Sequence, residues 1–215
     1  MLDTATLGPA LRGATTLRDR VLVVALDREA IEPADRLETI AESIAILRAV
    51  DARPIVIFDA GGIGAPEHVA TARLGAAIQR HGPRAIPLTG GSVVTVHRLD
   101  IPTGPMFMPI VDPALLGQLS ALRYIPLVTL PIVDADGRQS DVPPTEIALA
   151  AAKFLDAAVL AIVRRGKQPA PEIPPGPDGV RRTRSFALAP SAADRLLSSI
   201  LFETPPATAK AAAAK

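Results

Sequence analysis

Residues 38–62 read ETIAESIAILRAVDARPIVIFDAGG, and the change of period within this stretch decides the fold. In its first half Ile40, Ala41, Ile44 and Leu47 recur at spacings of three and four, the repeat of one helical face. Near Ala52 the pattern changes to a continuous apolar run over 55–58, of strand length, which stops at Asp59 and opens into glycines. Upstream, VLVVAL at 21–26 is a second run of strand length. Together these predict strand, helix and strand, with the helix over 35–52 and Leu37 on the same face: one βαβ unit.

The alternation continues downstream. Pro66 stands where a first helical turn tolerates proline, and the helix it opens runs to a glycine stop at Gly82. A short meander is expected next, with strands near 85–88 and 93–97 joined by a β-turn at Thr89-Gly90-Gly91-Ser92. Met106-Phe107-Met108 reads as a flexible apolar patch used in the core or in a subunit contact. Residues 113–122 read as a short helix, and 125–133 as a strand whose Pro126 and Pro131 mark an end, an edge or a bend. A polar loop at 134–137 leads to a helix over 145–155, capped by Thr145, and then to a strand at 158–163.

Beyond that strand, residues 164–184 hold five prolines and three glycines, a composition for a linker. A final helix at 191–202 packs through Leu196, Leu197, Ile200 and Leu201. The expected organisation is an arm at 1–19, an α/β domain at 20–163, a linker at 164–185, a strand and helix at 186–203 packed on the domain, and a low-complexity tail at 204–215.

Composition narrows the function. The chain has 215 residues, 48% hydrophobic and 21% charged, enough to bury the core of a soluble globular protein. Its 23 basic and 22 acidic residues leave a net charge of +1, which supplies no broad field for nucleic acid or membrane, so a small molecule or another protein is the expected partner. Without cysteine there are no disulfides or thiolate metal sites, and His68, His81 and His97 lack ligand spacing, so no metal is expected. Surface or capping roles are expected for all three histidines. No run reaches the roughly 20 apolar residues of a membrane span, and no signal segment is seen, so a cytoplasmic protein is expected. The basic cluster Arg164, Arg165, Lys167, Arg181, Arg182 and Arg184 is read as a solvated charge run rather than a docking site for an acidic partner or RNA.

Three stretches taken in order resemble the substrate-binding half of the amino acid kinase family, its acetylglutamate kinases in particular. They are residues 38–62 quoted above, AIQRHGPRAIPLTGGSVVTVHRLD at 77–100, and RYIPLVTLPIVDADGRQSDVPPTEIALAAAKFLDAAVLAIV at 123–163. The resemblance implies a three-layer αβα sandwich on a mainly parallel sheet, and the expected protein partner is a second copy, forming a homo-oligomer, or an active kinase. It implies that active relatives bind a small carboxylate in this half and ATP in the other.

Phosphoryl transfer depends on positive charge and N–H groups around the moving phosphoryl. At the position of the family lysine this chain has Ala25, and at the following glycines Asp27 and Arg28. Asp141, Pro143 and Thr145 align with the family's two asparagines and aspartate, and no glycine-rich nucleotide loop follows Val163. The expectation is a protein that has lost phosphoryl transfer, needs no cofactor and works as a binding, regulatory or assembly subunit. A divergent kinase remains the alternative: it would use MgATP, draw a cation from Arg28 and phosphorylate a small carboxylate such as N-acetylglutamate in arginine biosynthesis. A structural oligomer module is the other. No catalytic residue is assigned. Asp59, Gly61, Gly62 and Asp141 are the candidate contacts for a small carboxylate, while Gly61-Gly62 also reads as a tight turn. No nucleic acid or membrane partner is expected.

Overall fold

The computed structural model describes residues 4–59, 67–102, 104–130, 132–133, 139–140, 142–165, 169–173 and 183–202. Six strands form the central sheet: β1 (Val21–Leu26), β2 (Arg53–Asp59), β3 (Arg84–Thr89), β6 (Tyr124–Leu130), β9 (Val159–Val163) and β10 (Arg184–Leu188). Their order is β10-β9-β1-β2-β6-β3, and every pairing is parallel. A parallel sheet of this kind is covered on both faces, which is why VLVVAL and AVLAIV are continuous apolar runs and do not alternate.

One face carries Leu22, Val24, Leu26, Val56 and Phe58 beneath α1 (Thr4–Leu17), α3 (Ala34–Ala49), α4 (Glu67–Arg80) and α7 (Leu196–Phe202). The other carries Val23, Ala25, Ile55 and Ile57 beneath α5 (Pro113–Ala121) and α6 (Pro144–Phe154). The short α2 (Arg28–Ile31) follows β1 directly. In α3 the residues with helical spacing, Leu37, Ile40, Ala41, Ile44 and Leu47, are all buried, as the sequence period requires. In α7 Leu196, Ile200 and Leu201 are buried, with Leu197 packed against the same core. The mainly parallel three-layer α/β architecture expected from the sequence is the one observed.

Several local readings are corrected. Residues 84–97 do not form a meander: β3 joins the main sheet, while β4 (Val94–Ile101) leaves it and pairs antiparallel with β5 (Gly104–Val111). Met106-Phe107-Met108 is therefore strand. The Thr89–Ser92 segment holds one 3-10 turn at Gly90–Ser92, with Thr89 Oγ1 and Ser92 Oγ 2.7 Å apart. The strand over 125–133 is two: β6 ends at Leu130 and β7 (Ile132–Val133) pairs with β8 (Gln139–Ser140). Pro126 lies inside β6, before the β2–β6 ladder begins at Val56↔Leu127 and opposite Ile86 in the β3–β6 ladder. Thr145 does not cap α6, since Pro143 is the N-cap and Pro144 takes the first helical position, where a missing N–H is harmless. Arg184 and Ser185, assigned to the linker by sequence, begin β10. His97 lies within β4, exposed, and does not end it.

The helices return to the sheet through residues in the left-handed region. Asp19, Asp51, Gly82, Arg123 and Asp156 follow α1, α3, α4, α5 and α6, with φ of 58°, 63°, 107°, 68° and 48°. This reverses the chain within two or three residues of each helix end. Only Gly82 advertises the conformation in the sequence.

Close packing of α1 on α7 rests on Gly13, where an added Cβ would collide with the carbonyl of Leu201. Gly75 in α4 has ordinary room, with Leu127 Cδ1 at 3.6 Å. Thermal melts should separate the two: Gly13→Ala is expected to cost about 2 kcal/mol by forcing the helices apart. Gly75→Ala should stabilise by up to about 1 kcal/mol through helix propensity. A tolerated Gly13→Ala would refute the α1–α7 contact.

Candidate functional site: the carboxyl edge of the sheet

The strand order determines where a crevice forms. From β1 the chain turns toward β2, and from β9 it turns the opposite way toward β10, so the connections after these adjacent strands diverge. In open α/β sheets such a switch point at the carboxyl ends is where ligands bind. Here it brings together Asp27, Arg28 and Glu29 after β1, Asp59 at the end of β2, and Arg164 and Arg165 after β9.

Asp27 is anchored through its main chain: its N–H donates to the Val163 carbonyl at 2.9 Å, and its own carbonyl accepts from Ala30 N–H at 2.9 Å. Its side chain makes no cap hydrogen bond to α2. Burial pushes the Asp27 carboxyl above its ordinary 3.8; the Arg165 N–H and the charge of Arg164 oppose this, and Asp59 and Glu29 add to it. The folded state therefore holds this proton more readily than the unfolded chain. The sign follows: stability falls as pH rises from 3.8 through the folded-state pKa, then stays level. Asp27→Asn should accordingly raise the melting midpoint at pH 7 and leave it little changed below pH 3.8. A lower midpoint for the variant at pH 7 would contradict this.

The arginines here already have partners in the protein. Arg28 Nε meets Glu32 Oε1 at 2.6 Å, Arg165 Nη1 meets Glu29 Oε1 at 3.0 Å, and Arg164 Nη2 donates to the Pro169 carbonyl at 2.9 Å. Arg28, the cation of the divergent-kinase alternative, is thus bound within its own helical turn. Arg184, from the same basic cluster, lies elsewhere: it donates to the Ile200 carbonyl at 2.7 Å and stacks over Phe186 at 5.5 Å. The one described lysine, Lys153, is exposed in the last turn of α6 and far from these groups in the chain's layout.

Ala25 does not open into the crevice. It is 1% exposed, paired between Ile57 and Ile162 in neighbouring strands, and packed in the layer that α6 covers with Ala148 and Ala151. At the crevice the carboxyls of Asp27 and Asp59 stand beside Arg28, Arg164 and Arg165, whose guanidiniums are engaged within the protein. Among the described residues, no group of three or more histidines and carboxylates is placed to hold a metal ion.

Of the four candidate contacts for a carboxylate, Asp59 is at the crevice, opposite Leu130 of β6. Gly61, Gly62 and Asp141 lie outside the described residues, as do Lys167, Arg181 and Arg182. Sequence reading passed over Glu29 and read Arg164 and Arg165 as the start of a linker; in the structure they follow β9 directly, outside any strand or helix, at the crevice. Their signal was position: Arg164 and Arg165 directly follow β9, and Glu29 stands three residues after the adjacent strand β1.

No helix among the described residues is long and apolar enough to cross a membrane. No family model matches the chain by sequence, and no curated protein matches it. Solved structures do. N-acetylglutamate synthase from Neisseria gonorrhoeae, complexed with coenzyme A and N-acetyl-glutamate, is 17% identical with a TM-score of 0.64, covering 93% of this chain and 55% of that one. Aspartate kinase from Synechocystis is 17% identical with a TM-score of 0.52, covering 72% of this chain and 28% of that one. An isopentenyl phosphate kinase from T. acidophilum, in a product complex, is 14% identical with a TM-score of 0.53, covering 84% of this chain and 95% of that one. The chain thus spans about half the length of the synthase it matches. With its parallel sheet, flanking layers and these likenesses, the chain has the fold of the amino acid kinase family.

Proposed function

We propose that this protein is a non-catalytic member of the amino acid kinase fold that works by binding, as a regulatory or assembly subunit. The observation that carries the reading is Ala25, sealed at 1% exposure where a phosphoryl-holding lysine would have to reach the crevice. The engaged arginines support it further, because a guanidinium already paired with Glu29 or Glu32 would have to give up that partner to receive a phosphate. Asp59, Gly61, Gly62 and Asp141 are the proposed contacts for a small carboxylate.

Assembly draws support from the β4–β5 hairpin, whose outer face exposes Leu99, Met106, Met108 and Ile110, each more than two-fifths accessible. Contiguous apolar surface of this kind suits a protein contact. The proposed partner is a second copy of the chain or an active kinase.

Calorimetry with MgATP, together with a coupled assay for ADP release in the presence of N-acetylglutamate, is the test. No turnover is expected, because losing one charged contact to a transferring phosphoryl costs on the order of hundreds to thousands in rate, and here several are absent. Turnover that disappears in Arg28→Ala would replace this reading with that of a divergent carboxylate kinase. Light scattering at micromolar concentration should give more than one chain per particle; a strict monomer would remove self-assembly from the proposal.

A further inference from the structure

At the amino edge of the sheet, opposite the crevice, a cavity of about 480 Å³ lies where the end of α3, the α4–β3 turn and the α5–β6 turn meet. Small-molecule sites commonly measure roughly 300–1,000 Å³. Arg48, Arg84 and Arg123 line it together with His81, and no carboxylate does.

Arg48 is 6% exposed. Its Nη1 donates to the Ala52 carbonyl at 2.6 Å, but its Nε is buried with no partner. Burial, followed by the charge of Arg123, holds its pKa below the ordinary value, with Asp51 opposing and Arg53 adding to the effect. A buried guanidinium is normally matched by a carboxylate. The acids nearby are otherwise engaged: Asp51 pairs with Arg123 at 2.9 Å and with Arg18 at 3.8 Å, and Glu38 pairs with Arg80 and His81. Arg84 has no ion pair or side-chain hydrogen bond among the described residues. Arg123 is held at φ 68°, a conformation that glycine adopts without penalty and a long side chain does not. The cavity wall therefore carries two guanidiniums, Arg48 and Arg84, with which no carboxylate pairs among the described residues.

We propose that this cavity binds a small organic phosphate, with the phosphate group on the guanidiniums of Arg48 and Arg84, beside Arg123, which keeps its pair with Asp51, and with the organic part against Leu122 and Tyr124. Guanidiniums present forks of N–H donors, and a tetrahedral phosphate accepts such forks from several directions at once. A carboxylate, with two oxygens in one plane, is satisfied by a single fork. The volume exceeds the needs of a bare phosphate ion and leaves room for an attached body. The site lies at the other end of α3 from the crevice and is independent of whether the crevice is catalytic.

Calorimetry at low salt with phenyl phosphate as probe, and with inorganic phosphate and succinate as comparison ligands, tests the assignment. The wild-type chain is expected to bind phenyl phosphate with a Kd below about 1 mM, more tightly than either comparison ligand. Arg84→Ala should weaken this about tenfold or more while leaving the melting midpoint of the free protein little changed, since Arg84 is exposed and makes no ion pair or side-chain hydrogen bond among the described residues. Arg48→Met, which keeps the side-chain length, should weaken it at least as much. Unchanged affinity in Arg84→Ala, or no saturation by about 10 mM phenyl phosphate, would overturn the site. Succinate binding as tightly as phenyl phosphate would overturn the phosphate assignment, and inorganic phosphate doing so would overturn the role of the organic part. Heat from MgATP that disappears in Arg84→Ala supports this cavity and does not count against the non-catalytic reading of the crevice.

Discussion

Replacing Ala25 by lysine, the residue that the resemblance to amino acid kinases implies at this position in active members, should destabilise the protein by about 3–5 kcal/mol and, on the proposed reading, give no kinase activity. Ala25 has 1% exposure, with Ile57 and Ile162 beside it in register and the alanines of α6 above it. A lysine here must bury an ammonium with no carboxylate partner or displace α6 to reach water. Either outcome is costly, by desolvation in the first case and by lost packing in the second. For a chain of this size the melting midpoint should fall by roughly 10 °C. The measurement is a pair of thermal melts, wild type against variant, at neutral pH. A shift of less than about 2 °C would mean that the ammonium finds solvent. The crevice would then extend down to this position, and the non-catalytic reading would lose its main support.

Phe58→Ala should have an effect of similar size, about 3–5 kcal/mol. Phe58 is fully buried on β2, with Leu26 and Thr129 as its neighbours in register, beneath the layer formed by α3 and α4. Truncation leaves a hole in the face that supports the carboxyl end of β2, immediately before Asp59. Urea denaturation should show a lower midpoint with an unchanged slope. Phe58→Leu, which retains most of the volume, should cost less than about 1.5 kcal/mol. Equal losses from the two changes would argue against a packing origin and place Phe58 in a looser environment than its burial indicates.

Much of the fold was legible in sequence because secondary structure here is written in period and burial. Residues 55–58 and 21–26 are continuous apolar runs, and a strand covered on both faces has no reason to alternate. The spacing of Leu37, Ile40, Ile44 and Leu47 reports one buried face of α3, since each side chain answers to the same core. These are local demands on the chain, and the residues themselves meet them.

Readings that needed partners were less secure. Thr89-Gly90-Gly91-Ser92 announces a change of direction, but a turn signal does not say whether the next strand returns to its neighbour. In the structure β3 pairs with β6 and β4 with β5, because the long-range packing of apolar faces chooses among pairings that the turn permits equally. The left-handed residues Asp19, Asp51, Arg123 and Asp156 were likewise hidden, since tertiary contacts hold them in a conformation their side chains do not favour.

By itself the sequence determined the α/β class, the buried face of each principal helix, and the absence of a lysine and paired glycines after the first strand. Only the tertiary structure decided that Asp27 and Arg165 meet at one crevice, that Ala25 is sealed away from it, and that Arg48, Arg84 and Arg123 line one cavity at the opposite edge. The physical reason is that a site is made by strand order. Residues distant in the chain become neighbours only when the sheet has chosen its pairings, and that choice is a sum over many burial energies that no short stretch contains.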